Sequence, residues 1–391
     1  MKITRLFRLL LLLSASWPLL SRAQTPEKPA AKGQYIAYVG TYTSKTTSKG
    51  IYAYRFDSEK GQLASIGVAA ESTDPSFLAV HPNGRFLYAV NEVGNFNGAT
   101  GGAVSAFAVD AKTGGLKFLN QVPTRGAGPC HVAVDKTGAF VLVANYDGGS
   151  IVSFPVHDDG SLGTASGFVQ HSGAGPNKER QEGPHAHWIG TSPDNRFALA
   201  VDLGLDQVIV YSFDATKGIF TSLLSGFAKV KSGAGPRHLA FHPDGKFAYV
   251  LSEMESSVTV FSYQPKNGAL TSLETISALP KDYSGPKEAA EIAVHPSGKF
   301  LYTSNRGHDS MAIFAIDEKK GTLKSLGQVS TGGKTPRHFA IDPTGEYLLA
   351  ENQESNNIIV FRIGTATGNL TPTGQTIEVP SPVCITFVAA Q

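Results

Sequence analysis

Cysteine is nearly missing from this chain, which has two among its 391 residues. That excludes a disulfide-stapled scaffold and a thiolate-rich metal centre. No Cys-x-x-Cys, His-Glu-x-x-His or EF-hand loop occurs, so neither a metal nor another cofactor is expected. Charge is sparse too: Asp, Glu, Lys and Arg make up 17% of the chain, with no basic run. Nucleic-acid surfaces carry such runs, so nucleic acid is not an expected partner. No stretch keeps a helical period for more than two turns. Glycine, in contrast, is plentiful at 42 residues, and its recurrence organises the rest.

A Gly followed two residues later by Leu or Phe occurs seven times, starting at Gly61, Gly114, Gly160, Gly218, Gly268, Gly321 and Gly368, with spacings of 46 to 58 residues. A second turn, of the Pro-x-Gly kind between two apolar runs, occurs six times, ending at Gly84, Gly138, Asn195, Gly245, Gly298 and Gly345. The spacing fits propeller blades. The runs between turns alternate and are rich in β-branched and aromatic residues, as in Lys246–Leu251 and Ser257–Tyr263. Each repeat therefore reads as four strands, a to d, with the sixfold turn joining a to b and the sevenfold turn joining c to d. Gln34–Gly40 resembles a strand b and Pro382–Val388 a strand a. The C-terminal strand is expected to complete the N-terminal blade, closing an all-β, seven-bladed β-propeller over residues 34–391 without exposed sheet edges. Cys130 and Cys384 fall in the a strands of blades that are not neighbours, too far apart for a disulfide. Both are expected as buried thiols.

Residues 1–23 stand apart from this pattern. Lys2, Arg5 and Arg8 precede an apolar run from Leu9 to Leu20, and Ser21-Arg22-Ala23 offers a small-x-small cleavage site. This reads as a secretory signal peptide cleaved after Ala23; the apolar run is short for a membrane span. Its removal takes away four positive charges and leaves a formal net charge of −2. Residues 24–33 are Pro/Ala/Lys-rich and read as a flexible tether. The expectation is a periplasmic or secreted monomer with no membrane span after cleavage.

The six a–b turns also serve as a ruler. Seven residues before the turn glycine (Asn195 in the one turn without Gly) stand Phe77, His131, Trp188, His238, Glu291 and His338; seven after it stand Asn91, Asn145, Asp202, Ser252, Asn305 and Asn352. Types that recur around a ring point to structural bonds between blades and loops. One step further out, recurrence stops: Ser76, Cys130, His187, Arg237, Ala290 and Arg337 precede the turn, while Glu92, Tyr146, Leu203, Glu253, Arg306 and Gln353 follow it. His187, Arg237, Glu253, Arg306 and Arg337 thus share one rim on consecutive blades. Arginine suits carboxylate, phosphate or an oxyanion, and His187 or Glu253 could take a proton from water or carbon. Arginines would keep Glu253 ionised and burial would oppose them.

The segments Gly183-Pro184-His185-Ala186-His187-Trp188, Asp202–Asp206, Gly233–His238, Ser304–Ser310 and Thr335–Phe339 resemble signature segments of the propeller-type lactonases. That family includes 6-phosphogluconolactonases and muconate lactonizing enzymes. The resemblance spans residues 34–390 and implies a seven-bladed propeller with a catalytic set at His187, Arg237, Glu253 and Arg306. Arg337, His131, His185 and Glu291 are then candidate substrate contacts. The expected activity is metal-independent hydrolysis of a sugar-derived or carboxylated lactone, a small-molecule substrate. The alternatives are a lactone-forming cycloisomerase, or a non-catalytic propeller that binds carbohydrate or protein.

Overall fold

A computed structural model describes residues 30–391, all of whose regular elements are β-strands. The expected leader (1–23) and most of the expected tether (24–29) lie outside the described residues. Seven four-stranded antiparallel sheets follow one another around an axis. The fifth blade shows the pattern: a is Pro236–Phe241, b Phe247–Ser252, c Ser257–Gln264 and d Ala269–Ser277. Its b strand is wholly buried, whereas its d strand is half solvated and alternates. Strand b lies between a and c of its own sheet and is covered by the neighbouring blades, which explains the continuous apolar run there.

Closure occurs as the turn count implies. The first blade takes b, c and d from Gln34–Thr41, Gly50–Asp57 and Gln62–Glu71, and takes a from Pro382–Ala389. The closing pair runs in register from Tyr35 opposite Ala389 to Gly40 opposite Cys384. No a–b turn is needed there, so the sixfold turn has no seventh copy. The last residues of the expected tether are held rather than free. Ala30 N–H donates to the Pro343 carbonyl at 2.9 Å, Lys32 lies 2.6 Å from Glu346, and the Gly33 N–H donates to Ser58.

The sevenfold Gly has a physical reason beyond the turn. At Gly321 φ is +72°, and a Cβ would meet the Phe247 ring of the preceding blade's b strand at 2.3 Å. The same carbonyl accepts the Tyr249 hydroxyl at 3.0 Å. Each c–d turn thus latches one blade onto the one before it. The a–b turns, on the same face, add a second latch: His81, His242 and His295 each place Nε2 2.8–2.9 Å from the turn Gly carbonyl of the next blade. Cys130 and Cys384 are buried, unpaired thiols.

Candidate active site

The starts of the a strands and the ends of the b strands meet on one face of the ring. The residues that recur at the end of b pin the incoming connections. The amides of Asn91, Asn145, Asn305 and Asn352 donate to the carbonyls of Thr73, Thr124, Ala278 and Thr331 at 2.7–3.2 Å. Their repetition is structural, and it fixes the height at which the next residue leaves the sheet. That next residue differs from blade to blade: Glu92, Tyr146, Leu203, Glu253, Arg306 or Gln353.

Glu253 is the centre of one half of the site. Arg180 Nη2 reaches its Oε1 at 2.6 Å, while Arg306 Nη2 and Arg237 Nε lie 2.9 and 3.2 Å from Oε2. The Arg237 contact is an ion pair without hydrogen-bond alignment at Nε, and Arg237 Nη1 instead donates to the Ala290 carbonyl at 2.5 Å. Burial alone would raise the Glu253 carboxyl, but Arg306, Arg237 and Arg180 together bring it down to about 2. The arginines therefore win the contest with desolvation. Burial, then repulsion from Arg337 and Arg306, brings Arg237 down to about 10, still a cation at neutral pH.

The other half is built from elements far apart in sequence. Arg337, at the start of the seventh blade's a strand, lies over the Tyr42 ring with Cζ 5.4 Å from its centroid. It makes no hydrogen bond or ion pair among the described residues. Tyr42 donates to Glu92 Oε2 at 2.9 Å, and the Ser76 hydroxyl donates to the same oxygen. Between the halves is a small polar cavity lined by Tyr42, Glu92, His187, Arg237, Arg337 and Cys130, among others. Burial, and then the charge of Arg237, holds the His187 imidazole well below its usual range, so it is neutral. Its Nδ1 stands 3.7 Å from the Cys130 thiol.

Below the cavity, a buried chain follows the axis. Arg237 Nη1 donates to His238 Nε2 at 3.3 Å, so His238 carries its proton on Nδ1 and donates it to Glu291 at 2.9 Å. His338 Nε2 lies 3.5 Å from the same Glu291 oxygen, and His338 Nδ1 lies 2.7 Å from Glu351. Burial, with Glu291 nearby, raises Glu351 well above the carboxylate range, so its O–H donates to that nitrogen. Phe77 and His131 pack against this chain, with Phe77 5.7 Å from His238 and 5.5 Å from His338.

Of the expected site residues, His187, Arg237, Glu253, Arg306 and Arg337 do converge. Glu291 forms part of the cavity floor. His131 lies behind Phe77 and accepts the Ile189 N–H of the next blade. His185 stacks on Tyr146 at 4.5 Å, outside the cavity wall. Three residues of the site were not singled out from sequence. Glu92 stood on the ruler but two blades from the consecutive cluster. Tyr42 holds the equivalent position in the one blade whose a–b turn is split by ring closure. Arg180 comes from a connecting loop that no repeat predicts.

Comparisons with known proteins agree with this fold. Residues 36–387 match a family model described as lactonase, 7-bladed beta-propeller. A 6-phosphogluconolactonase of Bacillus subtilis is 40% identical over 355 residues, covering 91% of this chain and 99% of that protein. One from Formosa agariphila is 36% identical over 297 residues, covering 75% of this chain and 82% of its own length. Among solved structures, a periplasmic gluconolactonase of Pseudomonas aeruginosa superposes with a TM-score of 0.86 at 34% identity, covering 92% of this chain and all of its own.

Proposed function

From the premise that this chain belongs to the seven-bladed β-propeller lactonase family and hydrolyses a lactone, we propose that its substrate is a sugar-derived lactone met outside the cytoplasm. The observation that carries this reading is Arg337, a guanidinium with no acceptor among the described residues, facing a polar cavity beside the neutral His187. A lactone carbonyl oxygen entering this water-sized cavity gains a fork of donors as it becomes negative in the tetrahedral intermediate. Arg180, Arg237, Arg306 and Arg337 outnumber the carboxylates Glu253, Glu92 and Glu291, so the site can also attract a carboxylated or phosphorylated substrate. Glu253 fits the role of aiming these arginines. With both oxygens engaged and its carboxyl near 2, it is too weak a base to activate water at neutral pH. His187 fits a hydrogen bond to a ring hydroxyl.

Export is supported by the leader pattern of residues 1–23 and by the periplasmic name of the Pseudomonas neighbour. A periplasmic or secreted enzyme would meet unphosphorylated aldonolactones rather than cytoplasmic sugar phosphates. The test is base uptake at constant pH by mature protein given glucono-δ-lactone and its 6-phosphate, with spontaneous opening subtracted. Faster opening of the unphosphorylated ring is expected; exclusive turnover of the phosphate ester would overturn the substrate assignment. The N-terminus of exported protein should begin at Gln24, and an intact Met1 would count against export by cleavage.

A further inference from the structure

Two carboxylates of the site, Glu253 and Glu92, are engaged in opposite ways. Glu253 has both oxygens occupied by guanidinium groups. Glu92 has both of its hydrogen bonds, from Tyr42 and Ser76, on Oε2, and its Oε1 accepts none among the described residues. Glu92 is only partly buried and lines the cavity with Arg337. Resting on the lactonase reading, we infer that Glu92 is the catalytic base and acid of ring opening, acting through Oε1.

The chemistry closes without a co-reactant. Glu92 as carboxylate takes a proton from water while the water oxygen bonds the lactone carbonyl carbon, and the carbonyl π pair moves onto oxygen beside Arg337. The tetrahedral intermediate then re-forms its carbonyl and breaks the ring C–O bond. Glu92 returns its proton to the departing ring oxygen. The product acid ionises to solvent, and Glu92 is again a carboxylate.

The alternative base on the cavity wall is His187, and the charges around it decide against that role. Arg237 and Arg337 oppose a proton there after burial has already done so. At Glu92, burial favours the protonated form and raises the carboxyl above its ordinary value, opposed by Arg337, the Ser76 and Tyr42 hydroxyls and Arg237. Cys130, on the third blade, faces Glu92 as a neutral thiol, pushed up by burial and then by Glu92 itself. The best catalytic base has its pKa near the operating pH.

The test is a pH–rate profile of full-length mature protein with glucono-δ-lactone, for wild type, Glu92→Gln, Glu92→Asp, Ser76→Ala and His187→Asn. Glu92→Gln should lower kcat by about 100- to 1,000-fold with little change in KM, and abolish the acidic limb. Glu92→Asp should restore part of the rate. Ser76→Ala removes a hydrogen bond that favours the carboxylate, so its acidic limb should move to higher pH. A purely structural role would not move that limb. An acidic limb that persists in Glu92→Gln but disappears in His187→Asn would overturn the assignment, as would a Glu92→Gln rate within about threefold of wild type. Matched thermal midpoints separate these outcomes from misfolding. No turnover of any lactone by wild type would instead overturn the lactonase reading, and the role of Glu92 with it.

Discussion

Arg180 and Glu253 meet at 2.6 Å although 73 residues separate them, one on the loop that leads into the fourth blade and the other at the end of the fifth blade's b strand. Arg180 is the member of the charge cluster that is nearly half exposed, at 43% for its side chain. An exposed partner contributes little to folding, but its charge still acts on the buried carboxylate. Arg180→Ala is therefore expected to change stability by less than about 1 kcal/mol, while kcat/KM falls by roughly tenfold as the Glu253–Arg237–Arg306 geometry loosens. Equilibrium denaturation alongside lactone kinetics reads both. A large stability loss with unchanged kinetics would make Arg180 a scaffold residue.

Glu253→Gln removes the one anion holding three guanidiniums together. Breaking a buried pair leaves uncompensated charge, and the carboxyl near 2 against an ordinary 4.5 corresponds to roughly 3 kcal/mol. Because the folded pKa is depressed, that stability is present above the unfolded value and is lost as pH falls through about 2. Wild type should thus exceed the variant at pH 7, and the gap should narrow in acid. Urea unfolding of both proteins at several pH values measures the difference. A gap independent of pH would show that the arginines do not depend on this charge.

Glu351 should behave in the opposite sense. It is fully buried and stays neutral, donating to His338. A carboxyl with a raised folded pKa must take up a proton on folding above its unfolded value, so wild type loses about 1.4 kcal/mol per pH unit from this group until the folded pKa is reached. Glu351→Gln keeps a donor toward His338 Nδ1 without that cost. The variant should match wild type in acid and exceed it increasingly as pH rises above the ordinary carboxylate range. A variant less stable at every pH would mean that the carboxyl is ionised in the fold.

The fold was legible because closure of a propeller imposes a count. Seven c–d turns with six a–b turns leave one blade to be made from both chain ends, and Pro382–Ala389 does pair with Gln34–Thr41. The conserved height of the site was legible too, since every b strand has a fixed length from its turn. What was not legible came from outside the ruler. Tyr42 lies in the blade without the turn, and Arg180 lies in an irregular loop whose path depends on what it binds. Glu92 was measurable but isolated: chain order separates the second blade from the seventh, whereas ring closure leaves only the first blade between them, so Glu92 and Arg337 line one narrow cavity. The balance between burial and arginine at Glu253 required distances.

Glycine at the c–d turns combines two requirements that can be separated by experiment. Gly321 has φ +72° and would drive a Cβ to 2.3 Å from the Phe247 ring, whereas Gly374, inside the seventh blade's d strand (Leu370–Glu378), has φ +87° with nothing within 4 Å of a Cβ. Ala at Gly374 meets only the left-handed backbone penalty of roughly 1–2 kcal/mol. Ala at Gly321 adds an overlap with a buried aromatic at a blade interface, where overpacking costs a further 1–3 kcal/mol or so. Gly321→Ala should therefore lower the unfolding midpoint clearly more than Gly374→Ala. Shrinking the ring in the Gly321→Ala, Phe247→Leu double variant should recover part of the loss, because the residual penalty is then backbone strain. Equal midpoints for the two single variants would remove the interblade latch as the reason the turn repeats seven times.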